Sequence, residues 1–285
     1  MSNFGNKDFY IIAEIGHNHQ GSLEKAKELF NEAKKAGADA VKLQKRDNKF
    51  LYTKDFYNTL YDNPNSYGRT YGEHREALEF DKKQYLSLIE HAKKIDIDFF
   101  ATPFDFKSVD FLEELNMPFY KIASADLTNI PLQEYIAKTN KPIILSTGGG
   151  SFKDVERAVE NILKINKNLT VLHCTAAYPA PIEDMNLAVI SKYKKEFSGL
   201  RVGLSDHENG IDAGVLAYML GARVFEKHFT LNRSWKGTDQ SFSLEPSGLK
   251  KFIRNVNRVP IILGSAKKEF LENEKKPIKK MAKSI

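Results

Sequence analysis

The chain has 285 residues, 41% of them hydrophobic, which is enough for a sizeable core in one barrel-type domain or in two small ones, and no apolar run approaches the roughly 20 residues of a membrane helix. The net charge of +6, much of it in residues 267–283, comes without interleaved stacking aromatics or a known module, which argues against nucleic acid and suits a small anionic substrate. A single cysteine, Cys174, excludes an intrachain disulfide and fits a reducing compartment; the polar stretch Met1 to Asp8 lacks a signal-peptide apolar run, so a cytoplasmic protein is expected.

From residue 9 onward short apolar runs alternate with helical patterns. Strands are predicted at 9–14, 40–44, 98–101, 119–122, 142–146, 169–173, 201–204 and 223–225. Helices are predicted between them at 23–35, 82–94, 107–115, 132–138, 152–165, 187–197 and 210–220, with a last one at 246–256. Such alternation predicts an α/β protein with a parallel sheet. Eight units in about 250 residues predict a (β/α)8 TIM barrel. A doubly wound open sheet would use fewer units and a dinucleotide turn, and Gly148-Gly149-Gly150 lacks the G-x-G-x-x-G spacing. The domain expectation is a catalytic barrel over residues 1–265 and a solvated basic tail over 266–285. One connection, residues 45–80 after strand two, is out of proportion, and so long a loop is functional or disordered. Its Phe50, Tyr52, Phe56, Tyr57, Tyr61, Tyr67 and Tyr71 argue against disorder. An ordered cap over the barrel mouth is expected, with a packing patch or a dimer contact as the alternatives. Within it, Arg69, His74 and Arg75 are candidate substrate contacts or plain surface residues.

Active sites in this fold gather at the C-terminal ends of the strands. Those ends carry Glu14, then Lys42 and Gln44, Thr102, Lys121 and Ser124, Ser146, His173, Ser205 and His207, and finally Lys227 and His228. Buried polar groups cost several kcal/mol unless satisfied, so polar residues at every strand end point to one shared pocket. Two lysines and several hydroxyls point to an oxyanion site for a phosphate monoester, although either lysine alone could snorkel to solvent. No G-x-x-x-x-G-K-[ST] is present, which excludes a P-loop triphosphate site. His207 and His228 end consecutive strands and could share one divalent metal with open positions; the alternative is two unrelated histidines. A metal beside a phosphorylated small molecule leaves aldol-type condensation, isomerisation and phosphate hydrolysis open.

Eight segments carry a resemblance. They are Ala13-Glu14-Ile15-Gly16-His17-Asn18-His19-Gln20-Gly21-Ser22, Val41-Lys42-Leu43-Gln44, Ala101-Thr102-Pro103-Phe104, Tyr120-Lys121-Ile122-Ala123-Ser124, Ile144-Leu145-Ser146-Thr147-Gly148, Leu172-His173-Cys174-Thr175 with Tyr178-Pro179, Gly203-Leu204-Ser205-Asp206-His207 and Glu226-Lys227-His228-Phe229. In that order they resemble the sialic acid synthases, which make N-acetylneuraminate and related nonulosonic acids. The resemblance implies condensation of phosphoenolpyruvate with an N-acylated hexose such as N-acetylmannosamine, with phosphate released by C–O cleavage. It implies a divalent metal, Mn2+ or Mg2+, and a homodimer. By motif position, Lys42, Thr102, Lys121, Ser124, Ser146 and Ser205 would bind phosphoenolpyruvate, and His207 and His228 would hold the metal. Gln44, Asp126, Tyr178 and Asp239 would face the sugar, with Glu14 completing the catalytic set. The enol is already nucleophilic, so neither lysine need form a Schiff base.

The family usually continues through a basic linker into a small antifreeze-like domain that covers the sugar across a dimer. Residues 274–285 resemble that linker, and the expectation is a barrel without the added domain, binding phosphoenolpyruvate and metal but condensing the sugar slowly. Ala125, Asp126, Ala176 and Ala177 depart from residues common in the family and bear on which amino sugar fits. Two rival readings are a synthase acting on a sugar phosphate, of the octulosonate or heptulosonate type, and an inactive binding barrel. The first would need a second phosphate site built from arginines, and none is read on the strand ends. The second would have lost a metal histidine or a phosphate lysine, and all are present.

Overall fold

The protein is described by a computed structural model covering Phe4 and residues 8–283. Its eight strands close into a barrel in sequence order. They are β1 (Tyr10–Gly16), β2 (Ala40–Lys45), β3 (Asp98–Pro103), β4 (Tyr120–Ile122), β5 (Ile143–Ser146), β6 (Leu169–Cys174), β7 (Arg201–Asp206) and β8 (Val224–His228). Every neighbouring pair is parallel, and β1 joins β8 with Glu14 opposite His228. Most strands run one or two residues past the predicted ends. The apolar run stops where the site begins, but the backbone ladder continues beneath the polar side chains, since it does not depend on what they are.

The helices are α1 (Leu23–Ala36), α2 (Asn48–Leu51), α3 (Lys54–Tyr57), α4 (Tyr71–Glu76), α5 (Lys82–Lys94), α6 (Phe106–Glu114), α7 (Ile130–Ala137), α8 (Phe152–Ile165), α9 (Val189–Glu196), α10 (Ala213–Met219), α11 (Pro246–Leu263) and α12 (Glu272–Met281). Successive strand residues face opposite sides, which divides the core in two. Ile11, Ala13 and Ile15 of β1 join the apolar layer beneath the helices. Tyr10 and Ile12 turn inward with Ala40, Phe100, Phe119, Ile144, Leu172 and Val224 to fill the lower barrel, and Phe4 stacks on Phe119 below them. The same inward face reaches Glu14, Lys42, Ser146, Ser205 and Glu226 one step further up. Each strand therefore seals the bottom with carbon and offers polar groups at the top.

The 45–80 connection is an ordered cap with its own packing. Ring centroids of Tyr52, Phe56 and Tyr61 lie 5.2, 4.8 and 5.4 Å from that of Tyr71. The Tyr67 hydroxyl donates to the Lys236 carbonyl at 2.6 Å, and the Gly237 amide donates to Asn65 Oδ1 at 3.1 Å, tying the cap to the loop after β8. Within the basic tail Glu272–Met281 is a helix that buries no residue. Ser284, Ile285 and most of the N-terminal stretch Met1 to Asp8 lie outside the described residues. Among the described residues no helix is long and apolar enough to cross a membrane.

Candidate active site

One cavity opens at the C-terminal end of the barrel. Glu14, Lys42, Gln44, Thr102, Lys121, Ser124, Ser146, Tyr178, Ser205, His207, His228 and Asp239 all line it. At its floor two lysines face two glutamates. Lys42 Nζ lies 2.5 Å from Glu14 Oε2 and 3.8 Å from Glu226 Oε2, and donates to Thr102 Oγ1 at 2.8 Å. Lys121 Nζ is 3.3 Å from Glu226 Oε1, which also accepts from Ser205 Oγ at 3.2 Å. The Ser146 hydroxyl is buried with no hydrogen-bond partner. Ser124 Oγ accepts the Gly148 amide at 3.0 Å, an approach that a side chain at 148 would block, since its Cβ would come within 2.9 Å of that oxygen.

The two carboxyls are not equivalent. Burial raises the Glu14 pKa, and Lys42, for all its proximity, does not overcome it, with the charge of Glu226 adding to the rise. Burial would raise Glu226 as well, but Lys121 and Lys42 together outweigh it and bring that carboxyl down to about 2. Of the two, Glu14 is therefore the one that takes a proton more readily, and Glu226 the one that stays negative. With Glu14 protonated, two ammonium groups share one carboxylate and the floor gains a net attraction for an anion.

His207 and His228 stand beside this floor with ring centroids 5.2 Å apart. Burial lowers both imidazoles, to about 3 for His207 and about 4 for His228, so both are neutral and have lone pairs to give. His207 Nδ1 lies 2.9 Å from the Thr175 carbonyl. That bond fixes the proton on Nδ1 and frees Nε2. His228 Nδ1 is buried without a hydrogen-bond partner, 3.7 Å from Asp239 Oδ2. Two neutral imidazoles, one of them orphaned, fit a borderline divalent cation with open coordination positions. Among the described residues no group of three or more His, Cys, Asp or Glu side chains is placed to hold a metal, so further coordination must come from substrate or water.

Opposite the lysines, Gly16 holds φ at +53°, and a Cβ there would lie 3.1 Å from Glu14 Oε1, 3.2 Å from Gln44 Nε2 and 3.3 Å from Asp239 Oδ2. The missing side chain leaves a small polar cradle. The Tyr178 ring covers one side of it, 4.3 Å from the His207 ring by centroids.

The model of the NeuB family matches residues 29–268. The chain belongs to the NeuB family. It is 42% identical over 281 residues to the N-acetylneuraminate-9-phosphate synthase of Homo sapiens, covering 99% of this chain and 78% of that one. It is 40% identical over 283 residues to the N,N'-diacetyllegionaminic acid synthase of Campylobacter jejuni, covering 98% and 84%. The crystal structure of an N-acetylneuraminic acid synthetase from Leptospira borgpetersenii superposes with a TM-score of 0.82 at 35% identity, over 97% of this chain and 92% of that one. A truncated 3-deoxy-D-arabino-heptulosonate 7-phosphate synthase from Thermotoga maritima, at 15% identity and a TM-score of 0.66, shares the fold alone.

Several expectations need correction in this NeuB family chain. Asp126 does not line the cavity; its Oδ1 accepts from Asn129 Nδ2 at 2.9 Å inside a short 3-10 turn after β4. His173 and Lys227 are strand-end residues of the wrong parity. His173 Nε2 lies 2.7 Å from the Met185 carbonyl, and Lys227 Nζ pairs with Asp206 Oδ2 at 2.7 Å. Both point away from the axis. Glu226 was missed for the same reason, although period two from His228 marks it as inward. His17 and Arg46 were not singled out as site residues, yet both line the mouth together with Arg75, a candidate substrate contact of the cap.

Proposed function

We propose that this chain condenses phosphoenolpyruvate with the aldehyde of an N-acylated amino sugar, giving a nonulosonic acid and phosphate, with Mn2+ or Mg2+ required. The observation that carries the reading is the pairing of a two-lysine floor, with its free Ser146 hydroxyl, and two neutral histidines in one cavity. Membership of a family whose relatives are named as nonulosonic acid synthases supports it.

In this reading Lys42 and Lys121 hold phosphoenolpyruvate, with Thr102, Ser124, Ser146 and Ser205 completing its site. Gln44, Tyr178 and Asp239 orient the open-chain sugar. C3 of the enol ether attacks C1 of the aldehyde, and a C–C bond forms. C2 becomes electron-poor, water adds there, and the C–O bond to phosphate breaks. Glu14, the carboxyl that burial favours in its protonated form, supplies a proton to the new alkoxide. His207 and His228 would hold the divalent cation, which would supply Lewis acidity for activating the acceptor's carbonyl. Holding both substrates in one cavity removes much of the entropic barrier of a bimolecular step.

The test is phosphate release from phosphoenolpyruvate with a panel of N-acylated hexoses, with and without added Mn2+, and mass spectrometry of the product. Sugar-dependent release that stops on chelation is expected. Release independent of any sugar, or a product lacking the three added carbons, would sink the reading.

A further inference from the structure

His207 and His228 stand at adjacent strand ends, and the spacing of their rings depends on what holds those ends together. His207 Nδ1 has the Thr175 carbonyl, but His228 Nδ1 has no hydrogen-bond partner. The His228 ring is placed by packing, 4.9 Å from the Phe242 ring by centroids, and by the path of β8. The ladder between β7 and β8 ends at the pair Asp206 and Lys227, so His207 lies just beyond it.

That last pair precedes the two histidines and faces away from the cavity. Asp206 and Lys227 are each 1% exposed. Val202, Leu204 and Phe225 point the same way along the two strands and belong to the apolar layer beneath the helices. A charged pair therefore interrupts a run of carbon. Lys227 Nζ donates to Asp206 Oδ2 at 2.7 Å and also to the Glu208 carbonyl. The Glu208 amide donates back to Asp206 Oδ1 at 2.9 Å. One ammonium, on the residue before His228, thus holds the residue on each side of His207. Stability alone does not call for this arrangement, since apolar side chains of similar volume in place of a buried ion pair are often neutral or stabilising.

We propose that Lys227, through Asp206 and the Glu208 carbonyl, is a positioning residue that sets the two imidazoles at the spacing and direction a divalent cation needs. The inference rests on the metal reading above. An ammonium is a compact point charge that can meet two acceptors at once. It fixes the turn after β7 to β8 from behind, where it touches neither metal nor substrate.

The test combines Asp206→Asn with Lys227→Met, which leaves no buried charge and keeps an acceptor for the Glu208 amide. Calorimetry with MnCl2 should show Mn2+ affinity lower by roughly tenfold or more, and the electron paramagnetic resonance spectrum of the bound ion should change. The urea midpoint should stay close to the native one. Phosphoenolpyruvate affinity, measured with metal chelated, should move by less than about twofold, because the lysine floor lies on the opposite face of the strands. Native Mn2+ affinity in the folded double variant overturns the proposal and leaves the pair a stability feature only. An equal loss of phosphoenolpyruvate affinity overturns it too, since the whole barrel mouth would then have shifted. If the double variant fails to fold, Lys227→Arg decides. It keeps the charge opposite Asp206 but replaces the point by a larger planar fork, so Mn2+ affinity should again fall by roughly tenfold; native affinity there overturns the proposal. Absence of Mn2+ binding by the native protein would instead sink the metal reading, and this inference with it.

Discussion

Glu226 stands between Lys121 and Lys42, and its charge exists because they are there. Removing Lys121 would leave a buried carboxylate short of its main partner, a change that typically costs about 3–5 kcal/mol. Lys121→Met should therefore lower stability by roughly that amount in urea titrations, and adding Glu226→Gln should restore most of it. Phosphoenolpyruvate affinity should stay at least roughly tenfold down in both proteins, because the proposed phosphoenolpyruvate site loses the same lysine. A double variant no more stable than the single one would show that Glu226 is not the group Lys121 neutralises. The histidines make a second prediction at this scale. His207→Ala and His228→Ala should each weaken Mn2+ binding by roughly tenfold or more in calorimetry, with the far-ultraviolet dichroism unchanged. Native Mn2+ affinity in either variant would remove that residue from the proposed metal set.

The cap over residues 45–80 acts as an element, because it carries Arg75 to the barrel mouth on one face of α4. Its fit to α3 is close: a Cβ on Gly72 would lie 2.4 Å from the Tyr57 ring. Gly72→Ala should overpack this contact, at a cost of about 1–3 kcal/mol, and loosen the cap without disturbing the barrel. Hydrogen exchange checks this directly. Amides across α2, α3 and α4 should lose protection while those of β1 to β8 keep theirs. Unchanged protection in α4 would mean that the Tyr57 ring moves aside freely. The length of the connection and its aromatics signalled an ordered element in the sequence. They did not show that it delivers a cation to the site, since that depends on which turn of a six-residue helix faces inward.

For the whole molecule, buried neutral histidines make folding sensitive to acid. His19 is stacked on Phe80 with its Nδ1 accepting the Gly21 amide at 3.0 Å, and burial lowers its pKa from 6.5 to about 3. The unfolded chain takes up the proton first, so stability is complete above about pH 6.5 and falls as the pH drops toward about 3. At about 1.4 kcal/mol per unit, His19 alone accounts for several kcal/mol. Urea midpoints measured at about pH 7.5 and about pH 4.5 should differ accordingly, and His19→Gln should flatten the slope. Equal slopes in the two proteins would remove His19 as a cause of acid sensitivity.

Strand and helix periodicity is local, and so is the rule that a parallel barrel places its chemistry at the C-terminal strand ends. From these the sequence by itself determined the (β/α)8 order, the two lysines, the hydroxyls and the two histidines. Facing direction near a strand end is not local in the same way. The choice of Glu226 over Lys227, and the exclusion of His173, depend on which parity the closed barrel turns inward, and that is set by the packing of Leu172 and Val224 in its lower layer. Asp126 was displaced from the cavity by a 3-10 turn that α7 holds in place, with Gln133 donating to the Asp126 and Leu127 carbonyls. His17, Arg46 and Arg75 come from two strand ends and a separate cap. No spacing in the chain connects them, and only barrel closure and cap docking bring their charges within reach of one another.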